Sequence, residues 1–298
     1  MKYLLTGFAD EIAQDLTIQL ESLKKLDMHY VEMRGVDGNN LIYHSMEKIR
    51  EIKKRLDEAG IRISALGSPL GKIGIEDPFE EHFEDFRHAV EIAHMVETEN
   101  IRMFSFYMPE GQKAGENQRK EELRRYRGQV FERIGQMQEY AARNDIVLLH
   151  ENEKGIYGER ASECLDLMEN FGGEHFKAIF DFANFVQAGE DTREAYQLLK
   201  DHIAYIHVKD ALAESGKVVP AGQGDGNVVE ILGKLFADGF AGFLSLEPHL
   251  FDFVGFAGLE KEKTNIKAGE RKKLSGYETF TLAHDALLSV LEQIEKGS

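Results

Sequence analysis

Short apolar runs alternate with longer segments of helical period from one end of the chain to the other. The runs, rich in Ile, Val, Leu and Phe, predict eight strands: Lys2 to Gly7, His29 to Met33, Ile61 to Leu66, Ile101 to Phe106, Ile146 to His150, Lys177 to Phe180, Ile203 to Val208 and Gly242 to Leu246. Between them, apolar residues three and four apart predict helices over Leu16 to Leu26, Ser45 to Ala59, Phe79 to Val96, Arg119 to Arg143 and Val228 to Asp238, with a last one over Glu278 to Glu295. Ser45 reads as a helix start and Gly60 as a helix end before the third strand. No Pro- or Gly/Ser-rich linker interrupts the alternation. The pattern therefore predicts an α/β fold, a single (β/α)8 TIM barrel forming one domain over residues 1–298, with a doubly wound sheet plus a small second domain as the alternative. One stretch breaks the repeat. From Gly255 to Gly276 the chain is polar, charged and long, and in a barrel it would overhang the mouth; a lid and a solvated excursion fit it equally.

Composition narrows the partners. The chain is 42% hydrophobic with 5 Pro among 298 residues, enough apolar material for a sizeable core. Lys and Arg number 36 against 53 Asp and Glu, a net charge of −17 that repels the phosphate backbone of nucleic acids and anionic membrane surfaces alike. A small-molecule substrate is expected, with no nucleic acid and no membrane as partner; a homo-oligomer is left open. No stretch approaches the roughly 20 apolar residues of a membrane span, and Asp10 and Glu11 cut short the N-terminal apolar run, so the cytoplasm is the expected location. Cys164, the one cysteine, stands in a helical run from Ala161 to Phe171 and is expected to pack as a small apolar side chain.

The active face of a barrel lies at the C-terminal ends of its strands. Four consecutive predicted strands end there in groups that bind metals: Glu151, Asp181, His207 and Glu247. Any one of them taken alone reads as a strand-end charge meeting water. Together, three carboxylates and one imidazole converging on one volume would repel unless a cation neutralised them. One divalent ion is the expected cofactor. The oxygen-rich set suits Mn(II) or Mg(II), leaves Zn(II), Co(II) or Fe(II) open, and without a thiolate disfavours a structural zinc site.

The runs His150-Glu-Asn-Glu, Phe180-Asp-Phe-Ala-Asn, Ile206-His-Val-Lys-Asp, Ala221-Gly-Gln-Gly-Asp-Gly and Leu246-Glu-Pro-His resemble the xylose-isomerase-like TIM-barrel superfamily, in order and over nearly the whole chain from Gly7-Phe-Ala-Asp-Glu onward. That superfamily includes ketose 3-epimerases, hydroxypyruvate isomerase, inosose dehydratase and endonuclease IV. The resemblance implies that Glu151, Asp181, His207 and Glu247 bind one divalent ion, and that Glu151 and Glu247 each ligate through one oxygen and do acid/base work through the other. It implies a metal-dependent sugar isomerase or epimerase working through an enediolate on a monosaccharide or related keto-polyol. Replacing either glutamate with glutamine would then keep the fold and abolish turnover. Two departures matter. Asn184 stands where many ketose epimerases have a histidine, and Glu153 follows Asn152 where several relatives have Asn-His. Isomerisation, epimerisation and dehydration of a keto-inositol or keto-sugar pass through the same enediolate, so a lyase remains an alternative. An endonuclease-IV-like enzyme would need further histidine ligands and a basic groove, and a non-catalytic sugar-binding barrel would have no use for the quartet.

Earlier strand ends offer substrate-binding candidates: Glu32 and Arg34, Ser68 and Lys72, Ser105 and Tyr107, together with Asn184 and Lys209. Surface solvation and turn chemistry explain them about as well, and an ion pair would account for Lys209 with Asp210. His150 is expected to point away from the site, opposite Glu151. His249 is set aside because Pro248 interrupts the strand. Gly222, Gly224 and Gly226 precede a helix start that would suit an anion, although Asp225 opposes a phosphate there.

Overall fold

Alternation along each strand sorts the side chains onto two faces, and the architecture follows from it. The computed structural model describes residues 2–111, 115–250 and 274–297. Its strands are β1 (Leu4–Gly7), β2 (Tyr30–Met33), β3 (Arg62–Leu66), β4 (Asn100–Met103), β5 (Val147–Glu151), β6 (Phe176–Asp181), β7 (Ile203–Val208) and β8 (Phe243–Leu246). All pair in parallel in the order β1-β8-β7-β6-β5-β4-β3-β2, and β1 and β2 lie side by side at the remaining seam, nearly closing a (β/α)8 barrel. The helices α1 (Leu16–Lys25), α2 (Met46–Ala59), α3 (Glu80–Met95), α4 (Glu116–Arg143) and α5 (Ala161–Phe171) follow β1 to β5 in turn. Two helices, α6 (Phe182–Gln187) and α7 (Thr192–Leu199), fill the crossover from β6 to β7; α8 (Val228–Ala237) precedes β8, and α9 (Gly276–Gly297) ends the chain.

The main core lies between strands and helices. Val31, Ile101, Leu148, Phe180, Ile206 and Leu244 face outward into it. The barrel interior holds only a small apolar plug of Ala65, Leu149, Ile179 and Tyr205. Two residues beyond the last three, the same inward face carries Glu151, Asp181 and His207, so period-two geometry alone stacks the polar layer on the plug. Among the described residues no helix is long and apolar enough to cross a membrane. The expected lid from Gly255 lies, as far as Lys273, outside the described residues.

The strand expected over 101–106 is shorter. It ends at Met103, and the backbone N–H groups of Phe104 and Phe106 turn to the carbonyls of Leu70 and Gly71, with Phe106 at φ +67°. Gly71 is required there: its φ is +86°, and a Cβ would stand 1.9 Å from the Phe104 carbonyl oxygen.

The same loop gives the fold a pH response. His82 of α3 accepts the Gly71 N–H through Nε2 at 2.7 Å, and burial together with Arg133 lowers its pKa from 6.5 to about 4. The folded chain thus holds the neutral ring. Its contribution is complete above the unfolded value of 6.5 and is lost as pH falls toward 4. The loss across that window is expected to reach about 3 kcal/mol. Denaturant titrations between pH 7 and pH 4.5 check it: His82→Gln, which keeps an acceptor and cannot protonate, flattens the profile, and an unchanged slope in that variant assigns the acid sensitivity elsewhere.

Candidate metal centre

The C-terminal ends of β5, β6, β7 and the residue after β8 bring Glu151, Asp181, His207 and Glu247 together, each offering one atom within 4.8 Å of the others. All four are buried. Each has one polar atom fastened on the side away from the cluster and another that faces it, and the cluster-facing oxygen of Glu247 also accepts from Lys209 Nζ at 2.6 Å. Asp181 caps α6, its Oδ1 accepting the Asn184 N–H at 2.8 Å, which leaves Oδ2 facing inward. Glu151 gives Oε2 to Arg102 Nη1 at 3.0 Å, and Glu247 gives Oε1 to Arg34 Nη1 at 3.0 Å. His207 turns Nδ1 inward, 3.0 Å from Glu151 Oε1, 3.9 Å from Asp181 Oδ2 and 3.7 Å from Glu247 Oε2.

Six buried carboxylates surround this volume, Asp10, Glu11, Glu32, Glu151, Asp181 and Glu247, against three permanent cations, Arg34, Arg102 and Lys209. The excess is negative, and the groups respond to it. Burial raises Asp181 to about 7, helped by Glu151 and Glu247 and opposed by Lys209. Burial also acts to raise Glu151, but His207 and Arg102 overcome it and hold that carboxyl at about 2. Glu247 is likewise held well below the usual range, Lys209 and His249 outweighing its burial. His207 is pushed up to about 10, since Glu151 and Glu32 outweigh the burial that lowers it.

One atom tests whether a divalent ion fits. Asp181 Oδ2 is buried and has no hydrogen bond; Lys209 Nζ, at 3.0 Å, brings charge to it but no hydrogen bond. A buried carboxylate oxygen left in this way, beside two more carboxylates and an imidazole nitrogen that an ion would relieve of its proton, fits a small hard cation.

The structure rearranges the expected substrate contacts. Glu32 sits on the far side of His207, its two oxygens 3.3 and 3.1 Å from Nε2, with Ser245 Oγ donating to Oε2 at 2.6 Å. Ser68 is fully buried and hydrogen-bonded to the Arg102 carbonyl and the Leu70 N–H. Both side chains, expected as substrate contacts, are engaged with protein groups. Arg34, also expected at the substrate, is 3% exposed and gives its guanidinium to Asp10, Glu11 and Glu247. Lys209 bridges Glu247 at 2.6 Å and Asp181 at 3.0 Å. The Asn184 amide donates to the Asn152 carbonyl at 2.8 Å and lies 3.4 Å from Glu151 Oε1. Lys72 pairs with Glu153 at 2.9 Å above the Phe104 ring, and Tyr107, half-buried, bridges Gly74 and Ile156 through its backbone.

Arg102 is the residue that strand ends did not reveal. It lies mid-strand in β4, inward between Ile101 and Met103, a lone arginine in an apolar run. His249 is a second: at φ +44° it turns back past Pro248 to lie 3.3 Å from both Glu11 and Glu247. Glu11, Glu247 and His249 form a further group with ligand spacing, but Arg34 already places its guanidinium 3.2 Å from Glu11 and 3.0 Å from Glu247. His150 does turn outward, to Ser105 Oγ at 3.0 Å, stacked on Phe176. Cys164 is packed as expected, its thiol donating to the Gly158 carbonyl. Asp210 makes no ion pair among the described residues. It is instead wrapped by the N–H groups of Ala211, Gly222, Gly224 and Gly226 at 2.8 to 3.1 Å, so the glycine loop ahead of α8 holds an anion supplied by the chain itself.

The family model described as xylose isomerase-like TIM barrel matches residues 20–269. The chain belongs to that family. Among solved structures of similar fold, a D-tagatose 3-epimerase-like protein is 18% identical with a TM-score of 0.72, covering 100% of this chain and 99% of its own. An L-ribulose 3-epimerase is 13% identical with a TM-score of 0.70, covering 100% and 97%. The probable 3-DHS dehydratase AsbF of Bacillus anthracis is 19% identical with a TM-score of 0.65, covering 97% and 99%. No curated protein sequence matches the chain significantly. At these identities the structural likeness shows the barrel fold.

Proposed function

We propose that this xylose isomerase-like barrel is a divalent-metal-dependent sugar isomerase or epimerase acting on a monosaccharide or related keto-polyol. The observation that carries the reading is the division of labour within the cluster: Glu151 and Glu247 each have one oxygen in the metal-sized volume and the other beside an arginine. Glu151, Asp181, His207 and Glu247 would hold the ion. A bound divalent ion supplies electrophilic stabilisation of the negative charge that develops on a substrate carbonyl and its neighbouring hydroxyl. His207 and Arg102 keep Glu151 ionised, and Lys209 with His249 does the same for Glu247, so both enter as proton acceptors. One glutamate takes the proton from the carbon beside the carbonyl; it either returns that proton to a different carbon, or it releases it to solvent while the other glutamate, itself first protonated from solvent, delivers a proton to the opposite face. The buried wall formed by Phe8 and Phe104, over which Arg34, Arg102 and Lys72 lie, keeps water from the exchanging proton. The epimerases among the structural neighbours support this reading.

Lys209 favours a second reading on the same scaffold, loss of water from a keto-polyol. Its ammonium lies 2.6 Å from Glu247, where it would protonate a departing hydroxyl, and one structural neighbour is a probable dehydratase. Proton NMR of Mn(II)- or Mg(II)-loaded protein with a panel of ketoses and keto-polyols in deuterated water separates the two. Isomerisation or epimerisation places deuterium beside the carbonyl with the substrate's water retained, and a lyase gives a dehydrated product. Chelation is expected to stop either reaction, and re-addition of the ion to restore it. Exchange that persists after complete chelation removes the metal from the reading.

A further inference from the structure

Glu32 is the one carboxylate of the six around the centre that pairs with no lysine or arginine among the described ion pairs; its only charged neighbour there is His207. It is 0% exposed. A carboxylate sealed in a barrel interior is costly unless its charge and lone pairs are answered. Ser245 Oγ answers one oxygen at 2.6 Å, and His207 Nε2 lies within 3.3 Å of both. With both Glu32 oxygens this close, Nε2 is the nitrogen placed to donate to Glu32, and the nitrogen left to face Glu151, Asp181 and Glu247 is Nδ1. The ring has no freedom to swap the two. Phe8 and Tyr205 meet it edge-on with centroids at 5.3 and 5.9 Å, and the Tyr205 hydroxyl is itself held by Ser64 at 2.9 Å, which is in turn held by Thr6 at 2.7 Å.

We propose that Glu32 is a positioning residue for the centre: by accepting from Nε2 it fixes the tautomer and the angle of His207, makes Nδ1 the nitrogen offered to a divalent ion, and raises its donor strength. Glu32 thus acts through His207 without touching substrate. The assignment rests on the metal reading of the cluster and says which nitrogen binds and what directs it.

The test uses Mn(II) binding, followed by electron paramagnetic resonance, on the full chain, Glu32→Ala, Glu32→Gln and Ser245→Ala. Glu32→Ala is expected to weaken Mn(II) roughly 10- to 100-fold. Glu32→Gln, whose carbonyl still accepts from Nε2, is expected to fall between it and wild type, and Ser245→Ala to lose less than Glu32→Ala. Nitrogen-15 NMR of Zn(II)-loaded protein provides a readout independent of affinity: the proton is expected on His207 Nε2 in wild type and Glu32→Gln. If Glu32→Ala does not fold, the glutamine and Ser245 variants decide. Wild-type Mn(II) affinity in folded Glu32 variants, or a proton on Nδ1 in the loaded wild type, overturns the proposal while leaving the metal centre standing. A wild-type protein that binds neither ion overturns both.

Discussion

Glu151→Gln is expected to lower turnover by roughly 10²- to 10⁴-fold, the span that a positioned acid or base supplies, while the barrel stays folded. Glutamine is nearly isosteric here. Its carbonyl oxygen can take the place of Oε2 against Arg102, and its amide nitrogen occupies the volume of Oε1. Glu247→Gln should lose turnover to the same extent, with a larger stability penalty, because Glu247 serves two cations: Arg34 on Oε1 and Lys209 on Oε2. Glutamine answers one of them and sets an amide N–H against the other. Circular dichroism and Mn(II) affinity report whether the barrel and its ion survive, and the solvent-deuterium exchange reports the chemistry. A folded, metal-loaded Glu151→Gln or Glu247→Gln protein that exchanges at near the wild-type rate excludes that glutamate from proton transfer.

The largest effect on stability is expected at Arg34. Replacing it with methionine keeps much of the volume over the Phe8 ring, where the guanidinium lies 4.3 Å from the centroid, but removes the charge that faces Asp10, Glu11 and Glu247. Asp10 then has no cation among the described ion pairs, and Glu11 keeps only His249. Breaking a buried pair by removing one partner costs about 3–5 kcal/mol, and urea titration at neutral pH should show a loss of that size. Lysine in the same place should recover only part of it, since a single ammonium does not reproduce a fork that reaches three carboxylates. A methionine variant within about 1 kcal/mol of wild type would show that the three carboxylates carry their charge without the clamp.

The fold was legible because strand and helix periods alternate cleanly, and the quartet because each of its members follows an apolar run at the active end of the barrel. What the sequence concealed were groups whose role is directed at other protein groups. Arg102 has the same inward register as the ligands but stands in mid-strand, so looking only at strand ends passes over it. Glu32 and Arg34 were visible as charges beside β2, yet nothing in a linear pattern tells a carboxylate serving an imidazole from one awaiting a substrate; that requires β2, β7 and β8 to be placed in a ring. His249 was hidden by Pro248, which ends the strand register and sends the next residue back at positive φ. Where β4 fell short of its expected length, Phe104, Ser105 and Phe106 are apolar enough to continue the strand, and pairing with Leu70 and Gly71 overrode that local preference.

The loop around Asp210 has a consequence for the anions its corner of the barrel can hold. Barrels that take phosphate esters commonly seat the phosphoryl group on amides of the loops after the seventh and eighth strands, at the head of a helix. In this chain the amides between β7 and α8 are already spent on an aspartate of the same polypeptide, backed by the nearby carboxylate of Asp225. A phosphorylated ligand would have to evict a built-in anion to use that corner, so on the proposed sugar reading that corner offers no free amides to an ester.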